Sequence, residues 1–169
     1  MIRPVVAVAI ALAVSAPAGA SDWSRHEMSS RMGDPATLTF YAESRERFSG
    51  GEPGNAPMLV IACERGRARF AIGAAVQLQP ESTYKVRHVR IRLDDGKPIS
   101  IAGEENTGGD AVHIGDAAAW IRRLAGAKVA LVEVTPYRKG ASTVAFPVSG
   151  LGEHADELAA RCGVKLPPK

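Results

Sequence analysis

The sequence predicts an α+β fold: a mainly antiparallel β-sheet or compact β-sandwich of about seven strands, with two short helices and one disulfide. Three observations support this prediction. Short apolar or alternating runs are separated by turns containing glycine and proline. Two further stretches carry apolar residues at helical spacing, and the chain holds two cysteines, Cys63 and Cys162.

Strands are predicted where apolar side chains alternate with polar ones or cluster in short β-branched runs. These stretches are 36–44, 58–63, 68–73, 85–93, 98–102, 128–134 and 142–146. Residues 64–67, 94–96 and 136–140 bring glycine, aspartate or proline between successive strands, and these residues favour tight bends. We therefore expect antiparallel hairpins at these three positions.

Two helices are predicted from apolar spacing and from residues that favour helix ends. Asp116 is a good N-cap for a helix over 117–124, and Gly126 is a good stop. A second helix is predicted over 151–161, with Gly163 just past its end.

The other segments are predicted to lack regular structure, apart from a weak signal at the start. Glycine and proline make 45–57 a loop, and 103–110 is a polar loop with glycines. Residues 74–83 suggest an extended arm. Residues 21–35 are polar, with a weak signal for a short helix from about Ser24.

Residues 1–20 have the pattern of a secretory signal peptide. One charge, Arg3, precedes an apolar run over 5–14, and Ala18-Gly19-Ala20 supplies small residues at the cleavage site. The alternative, an uncleaved membrane anchor, needs about 20 apolar residues. We therefore predict an exported, periplasmic protein whose single domain spans 21–169, with secretion from the cell as a further destination.

Export makes a disulfide between Cys63 and Cys162 the expected state of the two cysteines, because exported proteins fold in an oxidising compartment. Closing a loop of about 100 residues contributes at most about 4–5 kcal/mol in the chain-entropy model. The competing interpretation is a cysteine nucleophile. It lacks support, since no histidine stands in a known arrangement with either cysteine.

Composition and motifs favour a role in binding over catalysis. The formal charge of +3 falls to +2 without Arg3, too small an excess to indicate nucleic-acid binding. The four histidines lack metal-ligand spacing, and no serine lies in a G-x-S-x-G motif. The acidic pairs at 94–95 and 104–105 fit a turn and a loop. We expect no catalytic residue, no metal and no cofactor.

Basic residues form the most distinctive charge pattern. They alternate along two predicted strands, as Arg65, Arg67 and Arg69, then His88, Arg90 and Arg92. If both strands share a sheet face, five guanidinium groups would gather on one surface suited to carboxylate or phosphate. The other interpretation is that outward positions of half-buried strands are simply charged.

Several short motifs resemble the exported type VI secretion-associated proteins of the TagO or VasI type. The residues that carry the resemblance are 30–34 (SRMGD), 57–63 (PMLVIAC), 89–94 (VRIRLD), 135–137 (TPY), 145–146 (AF), 150–151 (GL) and Cys162. One departure is that the expected tryptophan and serine after the arginine-rich strand are absent from 99–103, which reads ISIAG.

The resemblance implies an exported accessory protein without an established catalytic centre, working with a protein partner in the envelope or secretion machinery. The alternative interpretation is an envelope-directed binding or inhibitor module that recognises an anionic ligand through the arginine-rich strands. A hydrolase is the third hypothesis. The sequence names neither the ligand nor the partner.

Overall fold

The computed structural model describes residues 21–29, 32–81 and 85–167, so the predicted signal peptide, 1–20, lies outside the described residues. The strands are β1 (Ser24–Met28), β2 (Thr37–Glu43), β3 (Met58–Glu64), β4 (Arg67–Gly73), β5 (Val86–Leu93), β6 (Ile99–Glu105), β7 (Ala111–Ile114), β8 (Val129–Val134) and β9 (Ser142–Pro147). The helices are α1 (Ala117–Ala125) and α2 (Ala155–Cys162), and a 3-10 turn, Leu151–His154, leads into α2.

All nine strands belong to one antiparallel sheet, in the order β1-β2-β3-β4-β7-β6-β5-β8-β9. The predicted α+β class, the antiparallel sheet, the two helices and the disulfide are confirmed. The count of about seven strands is wrong, because β1 and β7 add two. The weak helix signal near Ser24 is also wrong, since β1 pairs with β2 from Ser24–Tyr41 to Met28–Thr37.

The sheet curls until its last strand meets the segments that flank its first two strands. The Ser44 hydroxyl, just after β2, donates to the carbonyl of Ala145 in β9 at 2.7 Å. Just before β1, the Trp23 indole N–H donates to the carbonyl of Val148 at 2.9 Å. These bonds satisfy polar groups along the outer edge of β9.

The core lies on the inner face of the curled sheet, where alternate strand residues are apolar and buried. The largest fully buried strand side chains are Phe40, Phe70, Phe146, Leu38, Leu59, Ile61, Ile72 and Ile91. Helix α1 contributes Trp120, Ile121 and Leu124 to this core, and the ring centroids of Trp120 and Phe70 are 6.4 Å apart. Both helices therefore pack on the inner face.

Helix α1 begins and ends as its sequence predicts. The Asp116 carboxylate accepts from the Ala119 N–H at 3.3 Å, as an N-cap side chain does. Gly126 is the C-cap.

The described residues contain no helix long and apolar enough to cross a membrane.

Helix α2 is held to the sheet by a covalent link and by charges. Cys63 in β3 and Cys162 form the predicted disulfide, with Cα atoms 4.8 Å apart and a sequence separation of 99. On β1, Arg25 bonds Glu157 of α2 at 2.9 Å. This hydrogen bond lowers the pKa of Glu157 below its usual value. The first strand and the last helix of the described residues are thus joined.

Candidate functional site

The structure places the five predicted arginines on the sheet in two separate groups. Arg67 and Arg69 are exposed on β4, and Arg65 lies in the turn before it. Arg90 and Arg92 lie on β5, and β7 and β6 stand between the two strands. We call Arg65, Arg67 and Arg69 the hairpin arginines, and Arg90 and Arg92 the β5 arginines. The two groups do not form one continuous patch.

The first of the hairpin arginines, Arg65, lies in a two-residue turn between β3 and β4, and the other two follow on β4. Glu64 pairs with Arg67, and the two residues between them, Arg65 and Gly66, have φ angles of 49° and 78°. Two successive positive φ angles are typical of a type I′ turn, in which asparagine, aspartate and glycine are preferred. An arginine at the first of these positions costs about 1–2 kcal/mol of backbone strain. Position 65 is therefore occupied against local preference.

Two of the hairpin arginines have no counter-ion among the described residues. Arg69 pairs with Glu64, its Nε lying 3.0 Å from Oε2. Within the described residues, no hydrogen bond or ion pair involves the side chain of Arg65 or Arg67. Their five-donor guanidinium groups are free to bind an external carboxylate or phosphate.

The disulfide fixes the position of this turn. Cys63 directly precedes Glu64, so the link to Cys162 lies at the base of the hairpin. At the other end of the link, Gly163 adopts a left-handed φ of 67°. A Cβ added to Gly163 would lie 3.3 Å from the Gly66 carbonyl oxygen. The end of α2 thus lies directly against the turn and supports it.

The β5 arginines are more engaged with the protein. Arg90 Nη1 lies 2.8 Å from Glu133 Oε1 on the neighbouring strand β8. Arg92 is half-buried, and its Nε is buried without a hydrogen-bond partner in the described structure. The charge of Arg90 is therefore already paired with Glu133, and Arg92 is partly shielded.

His88 shares the outer face of β5 and is bound to Glu81. The backbone N–H of His88 donates to Glu81 Oε1 at 2.9 Å, and its ring nitrogen contacts Oε2. Burial raises the pKa of Glu81, but the hydrogen bonds from His88 outweigh it, and the pKa of Glu81 is lowered. The His88–Glu81 pair thus lies at one end of the outward-facing basic residues of β5.

Arg87 is a charged residue that the alternation of β5 did not reveal. It lies on the inner face with Val89 and Ile91, is 4% exposed, and pairs with Glu105 of β6. Its Nη1 also donates to the Val86 carbonyl at 2.8 Å, whereas its Nε has no partner in the described structure. The available signal was its spacing, since Arg87 is two residues before Val89 on the apolar side.

A cleft separates the two groups of arginines. Strand β7 ends at Ile114, so Arg67–Arg69 of β4 and Ile99–Ala102 of β6 face each other with no described strand between them. The cavity there has a volume of about 610 Å³. Its lining residues include Ala68, Arg69, Ala102, Gly103, Ile114 and Ala117.

A histidine of β7 and a glutamate of β6 also line this cleft. His113 and Glu104 are directly opposite in the strand register, and both line the cavity. No hydrogen bond joins them in the described residues. Across the ranges 21–29, 32–81 and 85–167, no group of three or more histidine, cysteine, aspartate or glutamate residues is arranged to hold a metal ion.

No family of known proteins, no curated protein and no solved structure matches this chain.

Proposed function

We propose that this chain is an exported, non-enzymatic accessory protein of the cell envelope, which acts by binding an anionic partner through its hairpin arginines. The observation that carries the proposal is that Arg65 and Arg67 lack counter-ions within the described part of the chain, on a hairpin held by the Cys63–Cys162 disulfide. A rigid support lowers the entropy lost when a long side chain is ordered by a ligand.

The chemistry of arginine favours a partner with carboxylate or phosphate groups. The planar guanidinium forms two parallel hydrogen bonds to either group, and such bonds are stronger than neutral ones. Backbone strain at functional sites persists where the surrounding structure imposes it. The left-handed conformation of Arg65 on a supported turn fits this description.

The disulfide also supports the proposed location. Disulfides persist in oxidising compartments such as the periplasm and are rare in cytosol. We therefore propose the periplasm as the location, with residues 1–20 as the export signal. The resemblance to TagO- and VasI-type proteins suggests the type VI secretion machinery as the setting, and the alternative is an envelope-directed binding module outside secretion.

Retention on envelope material tests the binding role. The chain from residue 21 onward is loaded on an isolated envelope fraction and eluted with stepwise sodium chloride. We expect R65Q/R67Q to elute at clearly lower salt than the wild type, because charge-dependent binding is screened by salt. The matched control R45Q/R47Q loses two exposed charges from the 45–57 loop and should elute with the wild type. Co-elution of all three proteins would contradict the proposal.

The secretion setting needs a separate measurement. A strain lacking this protein should show reduced type VI secretion, restored by the wild type and not by R65Q/R67Q. Full secretion without the protein would contradict a role in type VI secretion. The binding role would then be decided by the envelope experiment alone.

A further inference from the structure

We infer that the cleft between β4 and β6 receives an extended segment of a partner protein as an added β-strand, with acidic side chains at alternate positions. The inference rests on the proposed binding role of the hairpin and names the class of its partner. Addition of a strand to an exposed sheet edge is a common mode of peptide recognition, in which main-chain hydrogen bonds supply affinity.

The first step in the argument is the pairing of the strands. Ile114, the last residue of β7, pairs with Phe70 of β4 on one side and with Gly103 of β6 on the other. The residues of β4 before Phe70 and of β6 before Gly103 do not pair with β7. Beyond Ile114 the chain turns into α1, and both flanking strands continue without it. Each therefore presents backbone N–H and C=O groups to the cleft, and unpaired edges of this kind attract further strands.

The second step is the shape of the cleft. Its lining residues come from both faces of the sheet: Phe70 and Ile114 are buried on the inner side, and Arg69 and His113 are exposed on the outer side. A surface depression would be lined from one face. A gap between strands is lined from both, and about 610 Å³ accommodates several residues of extended chain.

The third step is an exposed apolar side chain on the part of β6 that continues past the end of β7. Ile99 pairs with the buried Ile91, yet it is 39% exposed. Ile101, two residues further along β6, is partly buried against the core. An added strand would cover both, because each inward side chain of that strand would lie beside them.

The registers then define which side chains an added strand would present. A residue continuing β7 after Ile114 would lie between Arg69 and Ala102 and point outward. The next would lie between Ala68 and Ile101 and point inward. The third would lie between Arg67 and Ser100, and Arg90 is the next residue beyond Ser100.

Arg67 and Arg69 favour acidic residues at the outward positions, while the cleft lining also carries the carboxylates of Glu104 and Asp116. Both outward positions have an arginine of β4 on one side, and Arg67 has no counter-ion among the described residues. Opposite charges at adjacent strand positions stabilise pairing, whereas like charges oppose it. The inward positions face alanine and isoleucine, so they favour small or apolar residues.

Strand β1 offers a second free edge, with all five of its residues exposed. We favour the cleft because a strand there would pair on both sides, and a strand on β1 would pair on one. The two locations give different patterns of hydrogen-exchange protection, and this difference decides between them.

The experiment uses the chain from residue 21 onward and a blocked synthetic hexapeptide of alternating valine and aspartate. Amide hydrogen exchange is followed residue by residue with and without saturating peptide. We expect exchange to slow at least about tenfold for amides within 67–69 and 99–102, since new main-chain hydrogen bonds protect them. The same peptide with N-methyl groups on alternate amides should bind more weakly and lose most of this protection, because the methyl groups remove the donors of one strand edge and block its approach, whereas the side chains are unchanged.

Two variants separate strand addition from simple charge attraction. R67E/R69E should weaken binding of the aspartate peptide at least about tenfold and favour a valine–lysine peptide instead. The matched control R45E/R47E should bind as the wild type does.

Protection confined to 24–28, or binding that is insensitive to N-methylation, would overturn the inference. In either case a charge-dependent loss of envelope retention in R65Q/R67Q would leave the proposed function standing. Absence of any peptide binding by the wild type would also overturn the inference.

Discussion

Strands β4 and β5 carry similar alternating basic residues, but the fold treats them differently. On the β4 side, Arg65 and Arg67 have no ion-pair partner within the described ranges, and the turn that holds them is supported by the disulfide. On β5, Arg90 pairs with Glu133 and Arg87 pairs with Glu105 inside the sheet. The first strand presents its charges outward, and the second uses most of its charges within the protein.

The difference shows that an alternating charge pattern does not by itself define a binding surface. Arginine is useful to a ligand when it is exposed, positioned and not already neutralised. The neighbours of a strand decide all three conditions, and they come from distant parts of the sequence. Glu133 and Glu105, for example, reach β5 from strands on opposite sides of it.

Removing the disulfide should cause the largest loss of stability and should affect the hairpin more than β5. We expect C63A/C162A to lower the free energy of unfolding by up to about 4–5 kcal/mol, because the link closes a loop of about 100 residues. Urea denaturation measures this loss. Amide exchange should accelerate at 64–67 and change little at 88–92. Equal acceleration at both places would show that the link does not support the hairpin in particular.

Disrupting the buried ion pair should have the next largest effect. R87M leaves the Glu105 carboxylate buried without its partner, and breaking a buried pair in this way costs about 3–5 kcal/mol. The double variant R87M/E105L removes both charges and should recover most of that loss. A double-mutant cycle of urea denaturation curves measures the coupling. Additive losses in the cycle would mean that the two charges do not depend on each other.

Relieving the backbone strain at Arg65 should change the free energy of unfolding least, and it should stabilise the protein rather than destabilise it. R65G should raise the free energy of unfolding by about 1 kcal/mol, since glycine adopts a positive φ without steric cost. The control R67G lies in a strand and should lose about 0.5–1 kcal/mol. Calorimetric unfolding compares the two. A less stable R65G would refute strain at this turn.

Sequence patterns predicted the buried strands and the turns between them. Residues 58–63 and 68–73 form the hairpin that their apolar runs and the intervening glycine indicate. Asp116 caps α1, and the cysteines are joined. These features are set by local chemistry: periodicity, cap preference and the count of cysteines.

Elements whose stability comes from distant neighbours were not predicted. Strand β1 is polar and exposed throughout, and it exists because β2 offers it an edge. Strand β7 has four residues and follows a glycine-containing loop, so its alternation was too short to recognise. The cleft depends on where β7 ends, and no local signal gives that.

Arg87 illustrates the same limit within a predicted strand. Its spacing from Val89 places it on the apolar side, but a buried arginine requires a buried acid. Glu105 was assigned to a solvated loop, and β6 in fact extends through it. The pair became apparent only once the β5–β6 register was known.

The contacts of Trp23 have a consequence for the order of events during synthesis. Its indole N–H donates to the carbonyl of Val148, Arg25 bonds Glu157, and Cys63 is linked to Cys162. In each pair, the early residue needs a partner that is synthesised much later. A ribosome delivers the early members of these pairs long before the late ones. The nascent chain therefore stays incompletely folded until Cys162 has been synthesised.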